Sequence, residues 1–148
     1  MSDGSARKLD LRDHLEIQTL IAQVCKALDF SRTTDFVAAF TTNGTYQVVS
    51  SDADGRKEQY SHHGAEALLE FAQWAASRRR GLARHWTGNP IIESDGRGGA
   101  TAWSYTLLIE IDPETKRRNI VLSGVHEDVF VRTEAGWRLA SRTVVADI

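Results

Sequence analysis

Residues 82–145, LARHWTGNPIIESDGRGGATAWSYTLLIEIDPETKRRNIVLSGVHEDVFVRTEAGWRLASRTVV, carry the pattern that decides the fold. Four runs within them, Leu82 to Glu93, Ala100 to Ile111, Asn119 to Arg132 and Trp137 to Val145, are rich in β-branched and aromatic residues. The short segments SDGRGG, DPETK and TEAG separate them. Such runs suit a pleated, half-buried backbone, and the Gly, Asp and Pro between them suit turns. Parallel neighbours need a crossover of a dozen or more residues, so strands joined this tightly are antiparallel.

Ahead of this stretch the period is helical. Ile17, Leu20, Ile21, Val24, Cys25 and Leu28 form one broad apolar stripe, which predicts an amphipathic helix over Leu15 to Leu28. A shorter helix is predicted from Thr34 to Phe40, with Thr33 or Thr34 as its N-cap, and a third from Gly64 to Ser77, with Leu68, Phe71 and Ala75 on one side. Thr45 to Ser50 reads as a strand, and SSDADGRKEQ after it as a polar loop leading to Tyr60. Residues 1 to 10 are small, polar and aperiodic and read as a flexible leader, leaving 11 to 148 as one domain. The expected architecture is α+β, a curved antiparallel sheet with three helices from the first half packed in its concavity.

Composition narrows the functions open to this domain. With 148 residues, the chain should bury about two-thirds of its unfolded surface, enough for one core and a pocket. Eighteen basic against twenty acidic residues leave a formal charge of −2, so there is no overall basic field for nucleic acid or an anionic membrane. No apolar run approaches the 18 residues of a membrane span. The single cysteine, Cys25, excludes a disulfide framework and suits a reducing cytoplasm. The five histidines lack the spacing of a chelating pair, so no metal is expected.

Proton transfer is the chemistry that remains. Asp29 lies four residues after Cys25 and eight after Ile21, on the apolar stripe of the first helix if that helix persists. There, desolvation and the helix dipole both disfavour its charge unless a donor is supplied; the other reading is a cap on the DFSRT turn. Alternation puts His85, Thr87, Asn89 and Ile91 on one face of their strand and Arg84, Trp86 and Ile92 on the other. The polar row with His85 faces either the helices or water. His126 shares a face with Leu122, Gly124, Asp128 and Phe130, as a core histidine or a pocket group. Trp103 and Tyr105 share a face with Leu107 and Ile109, lining either a pocket or a dimer surface. The basic run SRRRGLAR, Ser77 to Arg84, is either a solvated helix end or a receiver for an acidic substrate tail.

Several strings together carry a resemblance: A-x-D at Ala27 to Asp29, Phe40 eleven residues on, Tyr60 shortly before Gly64, R-H-x-x-x-N at Arg84 to Asn89, and G-x-H-E-D and E-A-G-W-R within Gly124 to Arg138. In these the chain resembles the SnoaL-like branch of the nuclear transport factor 2-like (cystatin-like cone) superfamily. That group holds scytalone dehydratase, lindane dehydrochlorinase, small polyketide cyclases and the beta subunits of ring-hydroxylating dioxygenases. The resemblance implies a cone fold. Through its dehydratase members it implies a cofactor-independent lyase or isomerase acting on a hydrophobic cyclic or polyketide-like molecule.

The positions matching the family's acid/base pair are Asp29 and His85, with Tyr46 nearest to its carbonyl-polarising tyrosine. His126 stands where relatives commonly carry Tyr. His85 would take a proton from carbon, Asp29 would hold its ring within hydrogen-bond reach, and Tyr46 or His126 would polarise a carbonyl or protonate a leaving hydroxyl. Phe40, Trp86, Asn89, Trp103 and Tyr105 are the expected substrate-binding residues, and a homodimer through the outer sheet face is expected. The alternative implied by the beta subunits is a non-catalytic binding or structural module.

Overall fold

A computed structural model describes residues 8–147 of the chain. The elements run α1 (Leu11–Asp29), α2 (Thr33–Ala38), β1 (Phe40–Asp52), β2 (Gly55–His63), α3 (Gly64–Arg79), β3 (Ala83–Ser94), β4 (Ala100–Ile111), β5 (Arg118–Thr133) and β6 (Gly136–Asp147). The fold is α+β: six strands make one curved, unclosed sheet in the order β2-β1-β6-β5-β4-β3, and α1 and α3 pack on its concave side. Of the leader, residues 1–7 lie outside the described residues. Asp10 is structured: it caps α1, its carboxylate accepting from the Asp13 N–H while that of Asp13 accepts from the Asp10 N–H, both at 2.9 Å.

The four C-terminal strands are antiparallel neighbours, with turns in the intervals that SDGRGG, DPETK and TEAG occupy. Two features depart from the reading of the first half. The segment expected to be a polar loop is strand β2, pairing with β1 across a turn at Asp52 to Gly55. Its residues are exposed because β2 is the sheet edge, so no hydrophobic alternation marks it. The sheet also contains one parallel pair, β1 with the last strand β6. Its crossover is the whole of the intervening chain, which no short-range signal reports. The first residue before α2 is Arg32, which makes no side-chain cap, so Thr33 is already helical.

Two bulges set which side chains face the helices. In β3 the register with β4 shifts between Gly88 and Ile91, with Asn89 in the left-handed region at φ 54°. His85 and Thr87 stay on the concave face, but beyond the bulge the phase reverses, so Ile92 packs against the core and Ile91 is 57% exposed. This corrects the expected grouping of Asn89 and Ile91 with His85. In β6 the register shifts around Ala140, opposite Val129 and Phe130, so Trp137, Leu139, Arg142 and Val144 all face inward. At Gly124 a Cβ would collide with the carbonyl oxygen of Val145, so β5 and β6 approach closely there only because no side chain intervenes.

The lower end of the cone is fixed by an ion pair. The Asp13 carboxylate, 3% exposed, accepts two hydrogen bonds from Arg132 at 2.6 and 2.7 Å and one from Trp137 Nε1 at 3.2 Å. The Arg132 guanidinium in turn lies over the Trp137 ring, 4.4 Å from its centroid. Arg132 above all, together with the N–H groups of Asp10 and Trp137, holds the Asp13 carboxyl well below the ordinary carboxylate range against the opposing effect of burial. Because the native state favours the ionised form, this contribution is present above the unfolded value near 3.8 and is lost as pH falls below it. Asp13→Asn should therefore cost about 1.5–3 kcal/mol at neutral pH, and the difference from wild type in urea melts should shrink below about pH 4.

Candidate active site

Asp29 is the last residue of α1, and His85 is the third residue of β3, the strand against which that end of α1 packs. The helix persists far enough to bring Asp29 round to its apolar side, where it is 6% exposed. Its buried charge is met by His85 twice. The His85 backbone N–H donates to Oδ2 at 2.9 Å and lies 3.2 Å from Oδ1, and the ring Nδ1 lies 2.6 Å from Oδ1. An ionised carboxylate only accepts, so Nδ1 carries the hydrogen and donates. Both side chains are enclosed, at 8% exposure for His85 and 7% for Asp29. Nε2, the opposite ring nitrogen, has no hydrogen-bond partner among the described residues, and in the neutral ring it holds the basic lone pair.

The sheet wall beside this pair is polar, and much of it was not visible beforehand. On β4 the inward positions are the small residues Ala100, Ala102, Ser104 and Thr106, leading to Leu108, while Tyr105 points out. On β5 His126 and Asp128 face in, with His126 directly opposite Ser104. Arg142 of β6, 1% exposed, forms a two-pronged ion pair with Asp128, both contacts 2.8 Å. Cys25 of α1 lies 3.3 Å from the Thr87 hydroxyl and 3.8 Å from Arg142 Nη1. Ser104 Oγ, Thr106 Oγ1 and His126 Nδ1 are all enclosed without a hydrogen-bond partner among the described residues. Three neighbouring buried polar atoms left unmatched are costly unless something else satisfies them.

His126 is 2% exposed, and its pKa is pushed well below the ordinary value, first by burial and then by the positive charge of Arg142 and the field of His85. The imidazole therefore stays neutral at neutral pH. The unfolded chain binds a proton near pH 6.5 that the native state refuses, so stability falls as pH drops through that range. His126→Gln should flatten that slope between about pH 6.5 and 5, measured as the urea midpoint against pH.

Tyr46 faces inward from β1 beside Arg142 and is 6% exposed, stacked on Phe71 with ring centroids 4.7 Å apart. Burial first, and the nearby Tyr60 second, push its phenol above the ordinary tyrosine range, so it is a protonated donor. The expected substrate-binding residues are placed elsewhere. Phe40 is a core residue packed on Phe36 at 5.2 Å. Trp86 and Tyr105, 66% and 56% exposed, lie with Trp103 on the convex face, because alternation that turns His85 and Ser104 inward must turn these outward. Asn89 is exposed at the β3 bulge. The other four are removed from the interior wall, while Phe40 is buried in the same core as Tyr46. Among the described residues no three His, Cys, Asp or Glu side chains converge to hold a metal ion, and no helix is long and apolar enough to cross a membrane.

The SnoaL-like domain model matches residues 9–143, and the chain belongs to that family. In sequence it is similar to an uncharacterised protein of Mycobacterium tuberculosis, 27% identical over 139 residues covering 90% of this chain and 84% of the relative. In structure it is similar to a Nostoc punctiforme protein of unknown function with a cystatin-like fold, at TM-score 0.76 and 23% identity over 95% of this chain and 96% of that one. It is likewise similar to a Novosphingobium aromaticivorans chain assigned as the beta subunit of an aromatic-ring-hydroxylating dioxygenase. That likeness has TM-score 0.78 and 19% identity over 94% and 93% of the two chains. At these identities the solved structures speak to the fold alone, which hosts several chemistries and some members with none.

Proposed function

We propose that this protein is a cofactor-independent lyase or isomerase of the dehydratase type, removing a proton from a carbon next to a carbonyl in a hydrophobic cyclic or polyketide-like molecule. The observation that carries this reading is the 2.6 Å contact between Asp29 Oδ1 and His85 Nδ1. It orients the imidazole so that Nε2 is the base, and the Asp29 charge stabilises the imidazolium that forms when the proton is taken. Neutral His126 and the protonated phenol of Tyr46 are the groups to polarise the carbonyl or to return a proton to a leaving hydroxyl. Such a step needs no metal or redox group, and a positioned base contributes typically 10²- to 10⁴-fold.

A test that needs no knowledge of the natural substrate is deuterium uptake at the α-carbon of a cyclic ketone, 2-tetralone, followed by proton NMR in deuterated buffer. Uptake well above the buffer rate is expected. A rate equal to buffer across a panel of cyclic ketones would favour the second reading, a non-catalytic binding or structural module. The likeness to a dioxygenase beta subunit supports that alternative.

We further propose a cytoplasmic homodimer formed through the convex sheet face, where Trp86, Ile91, Tyr105 and Val129 are each exposed. Large apolar side chains exposed on one sheet face are the kind of surface that association covers. Tyr105→Asp should shift sedimentation from dimer to monomer without unfolding the chain; a wild-type monomer at high micromolar concentration would refute it.

A further inference from the structure

Helix α3 closes on Arg78 and Arg79, and a third arginine, Arg80, is its C-cap. Arg78 and Arg80 are exposed, as a solvated helix end should be. Arg79 turns inward instead, with its side chain 11% exposed. The nearest carboxylate, Glu110 Oε1, is 3.6 Å from Nε, too far for a hydrogen bond. Nε and Nη1 are both enclosed with no hydrogen-bond partner among the described residues. A guanidinium removed from water without matched acceptors is costly, and buried arginines are ordinarily paired through their donors.

Its position ties it to the acid/base pair. Glu110 on β4 is the register partner of Ala83 on β3, and His85 is two residues further along the same face. Two residues of strand span about 7 Å, so the Glu110 that Arg79 faces lies on the same face of the sheet as His85, about that far along the strands. Beside it is a recess of about 220 Å³ between the end of α3 and the ends of β4 and β5, lined by Arg79, Leu82, Glu110, Asn119 and Val121 among others. On the interior side its positive charge reaches the phenols of both Tyr46 and Tyr60.

We propose that the guanidinium of Arg79 is the docking point for a carboxylate carried by the substrate, at the rim of the cone beside His85. The inference rests on the reading of His85 as a base acting on a small molecule, and adds that this molecule is an acid. A planar carboxylate supplies the acceptors that the enclosed nitrogens lack, and Glu110, held at 3.6 Å, keeps the guanidinium in place without occupying its donors. Docked there, the carboxylate would fix which carbon of the substrate is presented to Nε2.

The test is calorimetric binding of 2-naphthoate against its uncharged counterpart naphthalene-2-carboxamide, with wild type, R79Q, R79K and E110Q. Wild type should prefer the carboxylate by about tenfold or more, the scale of a charge-assisted hydrogen bond. R79Q should erase the preference. R79K keeps the charge but not the planar donor set, and should lose several-fold of it, which keeps the test decisive if R79Q does not fold. E110Q should keep the preference, because Glu110 at 3.6 Å does not occupy the guanidinium's donors. The preference reads binding and not proton transfer, so a failure of the base reading leaves this result standing. Equal binding of the two probes to wild type, no binding of either, or an R79K variant with undiminished preference would overturn the proposal. So would R79Q and E110Q lowering the urea midpoint alike with no effect on binding, since Arg79 would then be only a structural ion-pair partner.

Discussion

Replacing His85 with Ala, or Asp29 with Asn, should each lower the rate of α-carbon deuterium uptake by about 10²- to 10⁴-fold, and the double variant should lose little more. The equality follows from the geometry. The Asp29 carboxylate holds both the ring Nδ1 and the backbone N–H of His85, so without it the imidazole loses its orientation and the imidazolium its counter-charge. An asparagine presents one acceptor oxygen where the carboxylate presents two, so it cannot hold both groups in the same way. Initial uptake rates for the four proteins, with circular dichroism to verify the fold, make the comparison. Additive losses, or an active D29N, would show that the two residues do not work as a unit.

The second large effect is on stability. Asp128→Ala should cost about 3–5 kcal/mol, because it leaves the Arg142 guanidinium, 1% exposed, buried with its two-pronged partner removed. For a domain of this size that is a fall in Tm on the order of 10 °C. The pair of substitutions Asp128→Leu with Arg142→Met, which removes both charges, should cost less than Asp128→Ala alone, since no unpaired charge stays inside. Thermal unfolding of the single and double variants measures this; a double variant less stable than Asp128→Ala would mean that the ion pair itself, and not the avoidance of an orphaned charge, carries the stability.

What the sequence disclosed followed the reach of its signals. The helical stripe from Ile17 to Leu28 and the four strands from Leu82 onward are local periodicities, and the structure has an element at each, extended by a few residues where caps and pairing continue the pattern. Asp29 stood out because a carboxylate on an apolar stripe demands a donor, and His85 because it sits on a polar row. Arg142 left no such trace. Simple alternation from Trp137 and Leu139 puts Ser141 and Thr143 inward, and only the bulge around Ala140 turns Arg142 to face Asp128. The bulge at Asn89 hid the true position of Ile91 in the same way. Strand β2 was invisible because both its faces are polar at the sheet edge. The aromatic residues Trp86, Trp103 and Tyr105 were drawn toward a pocket by their chemistry, but alternation against His85 and Ser104 commits them to the outer face. Arg79 shows the converse: a run of arginines reads as solvated, and only the fold reveals which one turns inward.

The protonation of the His85 ring tests the central claim most directly, and nitrogen-15 NMR of uniformly labelled protein at neutral pH reads it through the long-range couplings from the ring carbon protons. With Asp29 accepting at 2.6 Å, the neutral ring should carry its hydrogen on Nδ1 and leave Nε2 bare, and D29N should change that pattern. A neutral ring protonated on Nε2 would contradict it, since the lone pair would then lie on Nδ1, against Asp29, and Nε2 could not take a proton from carbon.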